Sequence, residues 1–376
     1  MKANYYFRTL LVVLFIFNFG TNLFSQTVKT KPFLVFHGRV DLSEIYDDNI
    51  LDYSPLDIIK FDLPKYNPSN LKKYSIAQVS DNITNVRFKF GTTLNIFKRN
   101  PTLIALRWNQ YIYGASNIRN YNSYQLDLKQ YFVKKNYFNI KYSNLPRFYL
   151  RNFWYHQIPE RNPYHLFSRY VEAILNKQTV SLNVGRKINK IVQLEIGYGY
   201  AYSDYNREFS ERNSNAHIIK GNLDINPSRI VSFDVGYQNT LSKARGGENY
   251  DSTISDISYR SNEIEIGFNL HLRSILKLPI TVKSNLNYEF QNYLSSKIPV
   301  DTLDRLGNPL SYGDKYHYGR IDKFYKLSAE LSYLLTKKID LYFMYQYSRN
   351  KTILPKTNDA GSFQTHQVGG GARINF

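Results

Sequence analysis

Apolar and polar residues alternate along most of this chain. From Ile191 to Ser203, Val192, Leu194, Ile196, Tyr198, Tyr200 and Tyr202 fall on one side, and Gln193, Glu195, Gly197, Gly199, Ala201 and Ser203 on the other. Successive side chains of a strand point to opposite faces, so period two gives each set its own face. In 263–273, Ile264, Ile266, Phe268, Leu270 and Leu272 alternate in the same way with Glu263, Glu265, Gly267, Asn269, His271 and Arg273. The pattern recurs in 86–96 and 339–348, and no helical period competes with it. It predicts fourteen strands, over 33–46, 84–98, 101–114, 121–134, 137–147, 170–186, 190–203, 215–226, 229–242, 260–273, 278–292, 318–335, 338–349 and 362–376.

A soluble sandwich also alternates, so three further features decide the class. The predicted strands run to roughly 10–14 residues, where soluble strands cluster near 5–6 and a tilted membrane strand needs about 9–11. Charge sits at mid-strand on the polar face, as at Glu195, Asp234, Lys283 and Glu289; a lumen tolerates this and a sandwich core does not. The joints alternate in length: Arg99-Asn100, Lys135-Asn136 and Lys187 to Asn189 are tight, whereas 47–83, 148–169, 204–214, 243–259, 293–317 and 350–361 are long. Short periplasmic turns and long external loops are the architecture of outer-membrane barrels. The expected fold is all-β: a transmembrane, antiparallel, up-and-down β-barrel of about fourteen strands, with both termini in the periplasm.

Composition supports this reading. Tyr is 34 and Phe 24, against 2 Trp and 2 Met; a ring with a polar tip suits the membrane–water boundary. Mean hydropathy is −0.45, and beyond the N-terminus no apolar run reaches the roughly 18 residues of a helical span. Cys is 0, which removes disulfides, thiolate catalysis and Cys-ligated zinc. The start, with Lys2 and Arg8 before Leu10 to Phe17, reads as a secretory signal over 1–25. A short lead, 26–32, then enters a barrel over 33–376, with no second domain expected.

The formal net charge of +19 does not by itself predict an anion pore. On the predicted inner face Arg39, Arg87, Lys89, Arg107, Lys129, Lys141, Lys220, Arg273, Lys283, Lys326 and Arg373 nearly balance Asp41, Asp127, Glu195, Asp224, Asp234, Glu263, Glu265, Glu289, Glu330 and Asp340. Paired across a narrow lumen, such charges would brace the wall and close much of the bore. The excess gathers at short turns, including Arg99, Lys135, Lys187, Lys190, Arg229, Lys277 and Lys338, where a basic rim would attract anionic lipid head groups. Export and the lack of a recognition module argue against nucleic acid as a partner.

Candidate chemistry concentrates in 147–165. Arg147, Arg151 and Arg161 suit phosphate or carboxylate, and Trp154 with His156 supplies rings for stacking on sugars. The segment would either fold inward as a constriction, touch lipopolysaccharide or glycan outside, or simply pack as an aromatic belt. The seven His residues show no metal-ligand spacing, and no cofactor is called for. His156 or His217 would have to serve a rim hydrolase, yet no nucleophile is marked. Asp47, Asp48 and Asp52 read as an exposed acidic turn, with a divalent cation as the less favoured alternative.

The mature chain as a whole resembles a Gram-negative outer-membrane β-barrel. Val368, Gly370, Ala372, Ile374 and terminal Phe376 alternate and resemble the C-terminal signal that the barrel assembly machinery reads. Tyr46-Asp47-Asp48-Asn49 resembles a turn in barrels of polysaccharide export and of surface lipoprotein assembly modifiers. The latter carry an N-terminal helical-repeat domain that is not present here, and no functional residues transfer. The resemblance implies a porin-like channel or exporter for small polar or glycan-like solutes, without enzymatic activity. A surface scaffold with an occluded lumen is the alternative, and an outer-membrane hydrolase the third.

Overall fold

A computed structural model describes residues 33–63, 73–97, 100–132, 136–157, 167–248, 255–272, 278–303, 309–314, 316–354 and 361–376. The signal and lead expected over 1–25 and 26–32 lie outside the described residues. Among the described residues sixteen strands form: β1 (Leu34–Asp47), β2 (Asp81–Phe97), β3 (Asn100–Tyr113), β4 (Tyr121–Phe132), β5 (Asn136–Gln157), β6 (Phe167–Lys187), β7 (Val192–Tyr205), β8 (Ser214–Ile225), β9 (Val231–Ala244), β10 (Tyr259–His271), β11 (Ile280–Tyr293), β12 (Val300–Leu303), β13 (Pro309–Tyr312), β14 (Ile321–Leu334), β15 (Ile339–Ile353) and β16 (Phe363–Asn375). Fourteen close a barrel, each hydrogen-bonded to its chain neighbours, with β11 next to β14 and β16 next to β1; β12 and β13 pair separately within the loop between β11 and β14. Closure matters physically because an unpaired strand edge in hydrocarbon would leave backbone donors and acceptors unsatisfied.

The two faces are inverted relative to a water-soluble protein. Leu42, Phe90, Leu106, Leu126, Leu182, Val184, Ile196, Ile219, Val235, Ile266, Leu331 and Phe343 are exposed, whereas Asn85, Asn183 and Asp81 are fully buried. A continuous apolar exterior of this extent would aggregate in water and fits a hydrocarbon environment. Among the described residues no helix is long and apolar enough to cross a membrane; the strands do so. The chain is an outer-membrane β-barrel.

The seam shows how the last residue is used. Gly38 N–H donates to the Phe376 carbonyl (2.9 Å) and Phe376 N–H to the Gly38 carbonyl (3.0 Å). The Phe376 ring occupies the place where a Cβ on Gly38 would stand, so the missing side chain gives the terminal ring its seat.

Two local features differ from the sequence expectation. β5 and β6 run far beyond the predicted ends and pair up to Gln157 with Phe167, past bulges at Leu145/Phe148 and Tyr149/Asn152. Most of the expected 148–169 loop is therefore strand; its mixture of Pro, Arg and rings masked the alternation because each bulge resets the phase. A short helix, α1 (Pro55–Asp62), stands in the first long loop, where no helix was expected. Its start was legible: Ser54 Oγ accepts the Asp57 N–H (3.2 Å), and Pro55 takes the first turn.

Candidate functional site

The inner wall carries charge in rows. Register places Arg39 opposite Lys89, and Lys89 opposite Arg107, so three cations lie side by side across β1, β2 and β3. On the other side Asp224 faces Asp234 across β8 and β9, and Glu263 faces Glu289 across β10 and β11. β2 and β9 lie seven strands apart in either direction around the ring of fourteen, so the two groups occupy opposed walls. Like charges directly opposite each other on adjacent strands are destabilising. The balance expected from the sequence is therefore spatially divided, with cations concentrated on β1–β5 and carboxylates on β7–β11.

Neutral donors hold the acidic wall in place. Tyr137 Oη donates to Glu195 (2.5 Å), Asn222 and Gln193 to Asp224 (2.9 and 3.2 Å), Gln238 to Glu263 (3.1 Å), and Asn285 to Glu265 (2.5 Å). None of these four carboxylates, nor Asp234 or Glu289, has a cation within ion-pair distance among the described residues. Asp234 lies over Gly267, whose missing side chain leaves room for the carboxylate against the wall. A cavity of about 340 Å³ reaches both walls, with Arg87 and Asp234 in one lining together with Lys283 and Arg373. A second, of about 450 Å³, gathers Lys141, Glu195, Lys220, Asp234, Glu263 and Glu265.

The sector around β16 shows the expected bracing. Arg373 is buried and donates to Glu330 (2.6 Å through Nη1) and Asp41 (3.3 Å), with Asp340 at 3.5 Å. Lys283 completes the group at 3.1 Å from Glu330, and Arg107 meets Asp127 at 3.5 Å.

The described parts of the first long loop, 48–63 and 73–80, pack into the long-loop mouth. Ile50, Leu51, Tyr53 and Ile76 are buried together with Ile45, Ile83, Tyr113 and Tyr149 of the wall. Ile45 and Ile83 share the inward face with Asp41 and Arg87, so this apolar cluster lies inside the barrel. Arg151 donates to the Leu51 carbonyl (2.8 Å) and stands 5.1 Å from the Tyr53 ring. Arg119 donates to the Tyr149 carbonyl (2.8 Å). Burial raises the Tyr53 hydroxyl well above its ordinary value and Tyr74 to about 12.

The acidic turn expected to be exposed is instead a latch. Asp47 is buried and accepts from Asn49 N–H (2.9 Å) and Gln367 (2.8 Å); Asp48 accepts from His366 N–H (2.7 Å), and Asp52 from Thr365 (3.1 Å). These carboxylates tie the loop to β16, which explains their spacing without a cation.

The opposite side of the mouth is polar. Asp314 accepts from Asp256 N–H (2.6 Å), and His317 Nδ1 lies 3.0 Å from its Oδ1. Arg320 clamps Asp322 with bonds of 2.7–3.1 Å. Burial lowers the His317 pKa, and Arg212 and Arg320 lower it further against the pull of Asp314. Burial acts to raise Asp314, but hydrogen bonds from His317 and from the backbone at Asp256 and Tyr316 outweigh it and hold the carboxyl below its ordinary value. Ser255 Oγ lies 3.1 Å from the same Nδ1 that faces Asp314. A nucleophile relay places Ser and acid on different ring nitrogens, so this group is a loop clasp.

Of the expected 147–165 contacts, Arg147 and Arg151 do not converge. Arg147 is exposed at the first β5 bulge, with φ of 51° and its N–H bonded to Asn176 (2.8 Å), while Arg151 serves the inserted loop. Trp154 and His156 sit on β5 opposite Tyr170 and Ser168; their side chains, and Arg161 entirely, lie outside the described residues. Arg87, Lys89, Glu195, Asp234, Glu263, Glu265, Lys283 and Glu289 share the inner wall. Sequence reasoning missed Ile50, Leu51, Tyr53 and Ile76, whose signal was an apolar set inside a polar loop flanking the Ser54-Pro55 helix start.

No family model matches this chain, and no curated protein matches it. Solved structures do. An anion-selective porin from Comamonas acidovorans shares 10% identity at a TM-score of 0.42, covering 91% of this chain and 99% of its own. OmpT of Vibrio cholerae, an outer membrane protein in its trimer form, shares 9% at 0.47, covering 91% and 99%. A bacterial polysaccharide outer membrane secretin shares 9% at 0.42, covering 90% and 97%. The wall of the chain itself, apolar outside and charged within, establishes its class: a closed, membrane-spanning β-barrel of fourteen strands, the architecture of outer-membrane proteins.

Proposed function

We propose that the barrel is a conduit for small, polar, charge-bearing solutes, with the inserted 48–80 loop narrowing its outer mouth. The observation that carries this reading is the separation of like charges onto facing walls. Lys89 between Arg39 and Arg107, and Asp224 opposite Asp234, cost stability unless water or solute occupies the space beside them. Opposed walls set up a field across the passage, which orients a dipolar solute and slows a neutral one. Small glycans bearing a charged group fit the same chemistry.

Planar-bilayer recording tests the reading. The wild-type barrel is expected to show steady conductance, and Asp234→Asn with Glu265→Gln to shift the reversal potential toward anions in a salt gradient. Complete silence, or a selectivity indifferent to both substitutions, would remove the conduit. The apolar cluster in the mouth favours one second reading, a surface scaffold with a sealed lumen. Silence of both the wild type and a barrel lacking 53–76 would support it.

A further inference from the structure

The exterior of the barrel is not uniform around the long-loop rim. On β9 the outward residues Val235, Tyr237 and Leu241 give way to Lys243, followed by Arg245 just beyond the strand. Arg260 stands on β10 between Leu241 and Asn292. On β14 and β15 the apolar rows Leu331, Leu327, Tyr325 and Phe343, Tyr345, Tyr347 lead to Lys323, Arg349 and Lys351, with the paired Ile321 and Ile353 beyond them. Lys323 and Lys351 are direct partners, and Arg349 faces Tyr325 one step further in.

None of these six cations has an ion-pair partner among the described residues. No carboxylate occupies an outward position on the long-loop half of β9, β10, β11, β14 or β15. The corresponding positions on β2–β4 are uncharged: Asn82 and Thr84, Gln110 and Ile112, Asn122 and Tyr124. The basic rim is therefore one-sided.

We propose that this sector binds the phosphorylated head group of a multi-acyl saccharide lipid in the leaflet beside the long loops. Lys323 opposite Lys351 is a repelling pair, and a phosphate between them converts the repulsion into two charge-assisted contacts. Arg245, Arg260 and Arg349 supply planar guanidiniums that match phosphate oxygens. The apolar rows directly below receive the acyl chains. A groove of about 430 Å³ lined by Tyr202, Asn215, His217, Lys243 and Arg245 offers ring and amide contacts to a sugar. From β9 to β15 the sector spans four strand spacings, about 19 Å, which suits a broad disaccharide head with several chains better than one two-chain phospholipid.

Two variants test the site: Lys323→Gln/Arg349→Gln/Lys351→Gln and Lys243→Gln/Arg245→Gln/Arg260→Gln. Lys89→Gln/Lys129→Gln/Lys220→Gln, which removes three charges from the inner wall, is the control. Each folded barrel, checked by its heat-shifted gel mobility, is titrated in detergent with bisphosphorylated lipid A, its dephosphorylated form or phosphatidylglycerol, and bound lipid is read by native mass spectrometry. Each charge near an anionic head group counts about fivefold, so each triple variant should retain lipid A about 100-fold less tightly. The control should bind as wild type does, and the dephosphorylated lipid should bind weakly to all. The proposal is overturned if both triple variants bind like wild type, or if the control loses as much as they do. It is equally overturned if the wild type takes the dephosphorylated lipid or phosphatidylglycerol as tightly as lipid A.

Discussion

The two sides of the long-loop mouth solve one problem by different physics. Both must cover the rim with irregular backbone. Over β16 and β1–β5, the 48–63 and 73–80 segments do so mainly by burying Ile50, Leu51, Tyr53 and Ile76 against the wall. Over β9–β14, the 255–258 and 313–322 segments do so with Asp314, His317, Arg320 and Asp322. Apolar burial is non-directional and scales with area. Charge-assisted hydrogen bonds are directional, and leaving one partner unmatched carries the full desolvation cost. The first side should therefore respond to lost volume, and the second to lost charge.

The largest effect is expected from removing the apolar side outright. Replacing 53–76 with a short Gly-Ser linker should raise single-channel conductance severalfold, because the cluster fills the inward face above Asp41 and Arg87. An unchanged conductance would mean that the narrowing lies elsewhere.

A single charge should break the polar side almost as locally. Asp314→Ala removes the carboxylate that accepts from the N–H groups of Asp256, Tyr316 and His317. The expected cost is about 2–3 kcal/mol of local stability, read as faster amide exchange in 255–258 and 316–320. Exchange in 49–54 should not change. If both sides loosen together, the mouth is one cooperative unit and the contrast between its halves fails.

The wall was far more legible in the sequence than the mouth. Strand alternation has a fixed period and one apolar side, so Ile196, Ile264 and Phe343 reported the lipid face directly. The mouth follows no period. Asp47, Asp48 and Asp52 read as a solvated turn, because their partners Gln367, His366 and Thr365 lie on the last strand, more than 300 residues away. Arg151 read as a free cation for the same reason: its acceptors are backbone carbonyls near residue 51. Charge composition was legible, but its division between walls was not, since register between strands decides which charges become neighbours.

The smallest expected effect is also the one that separates the two sides by sign. His317 has its pKa lowered in the folded protein, so between that value and 6.5 the unfolded segment binds more protons, and stability rises with pH. Acidification through this range should loosen 255–258 and 316–320, and the contribution of Asp314, whose pKa is also lowered, is lost at still lower pH. Tyr53 and Tyr74 have raised values, so the folded loop resists ionisation that the open loop undergoes near 10. Its stability should fall as pH rises from 10 toward 12. Each titrating group adds at most about 1.4 kcal/mol per pH unit to its slope. Amide exchange measured from pH 5 to 11, corrected for its intrinsic pH dependence, should show the polar side opening at the acid end and the 49–61 segment at the alkaline end. If the 49–61 segment stays closed at the alkaline end, its hydrogen-bonded latch to β16, rather than its apolar cluster, holds the loop in the mouth.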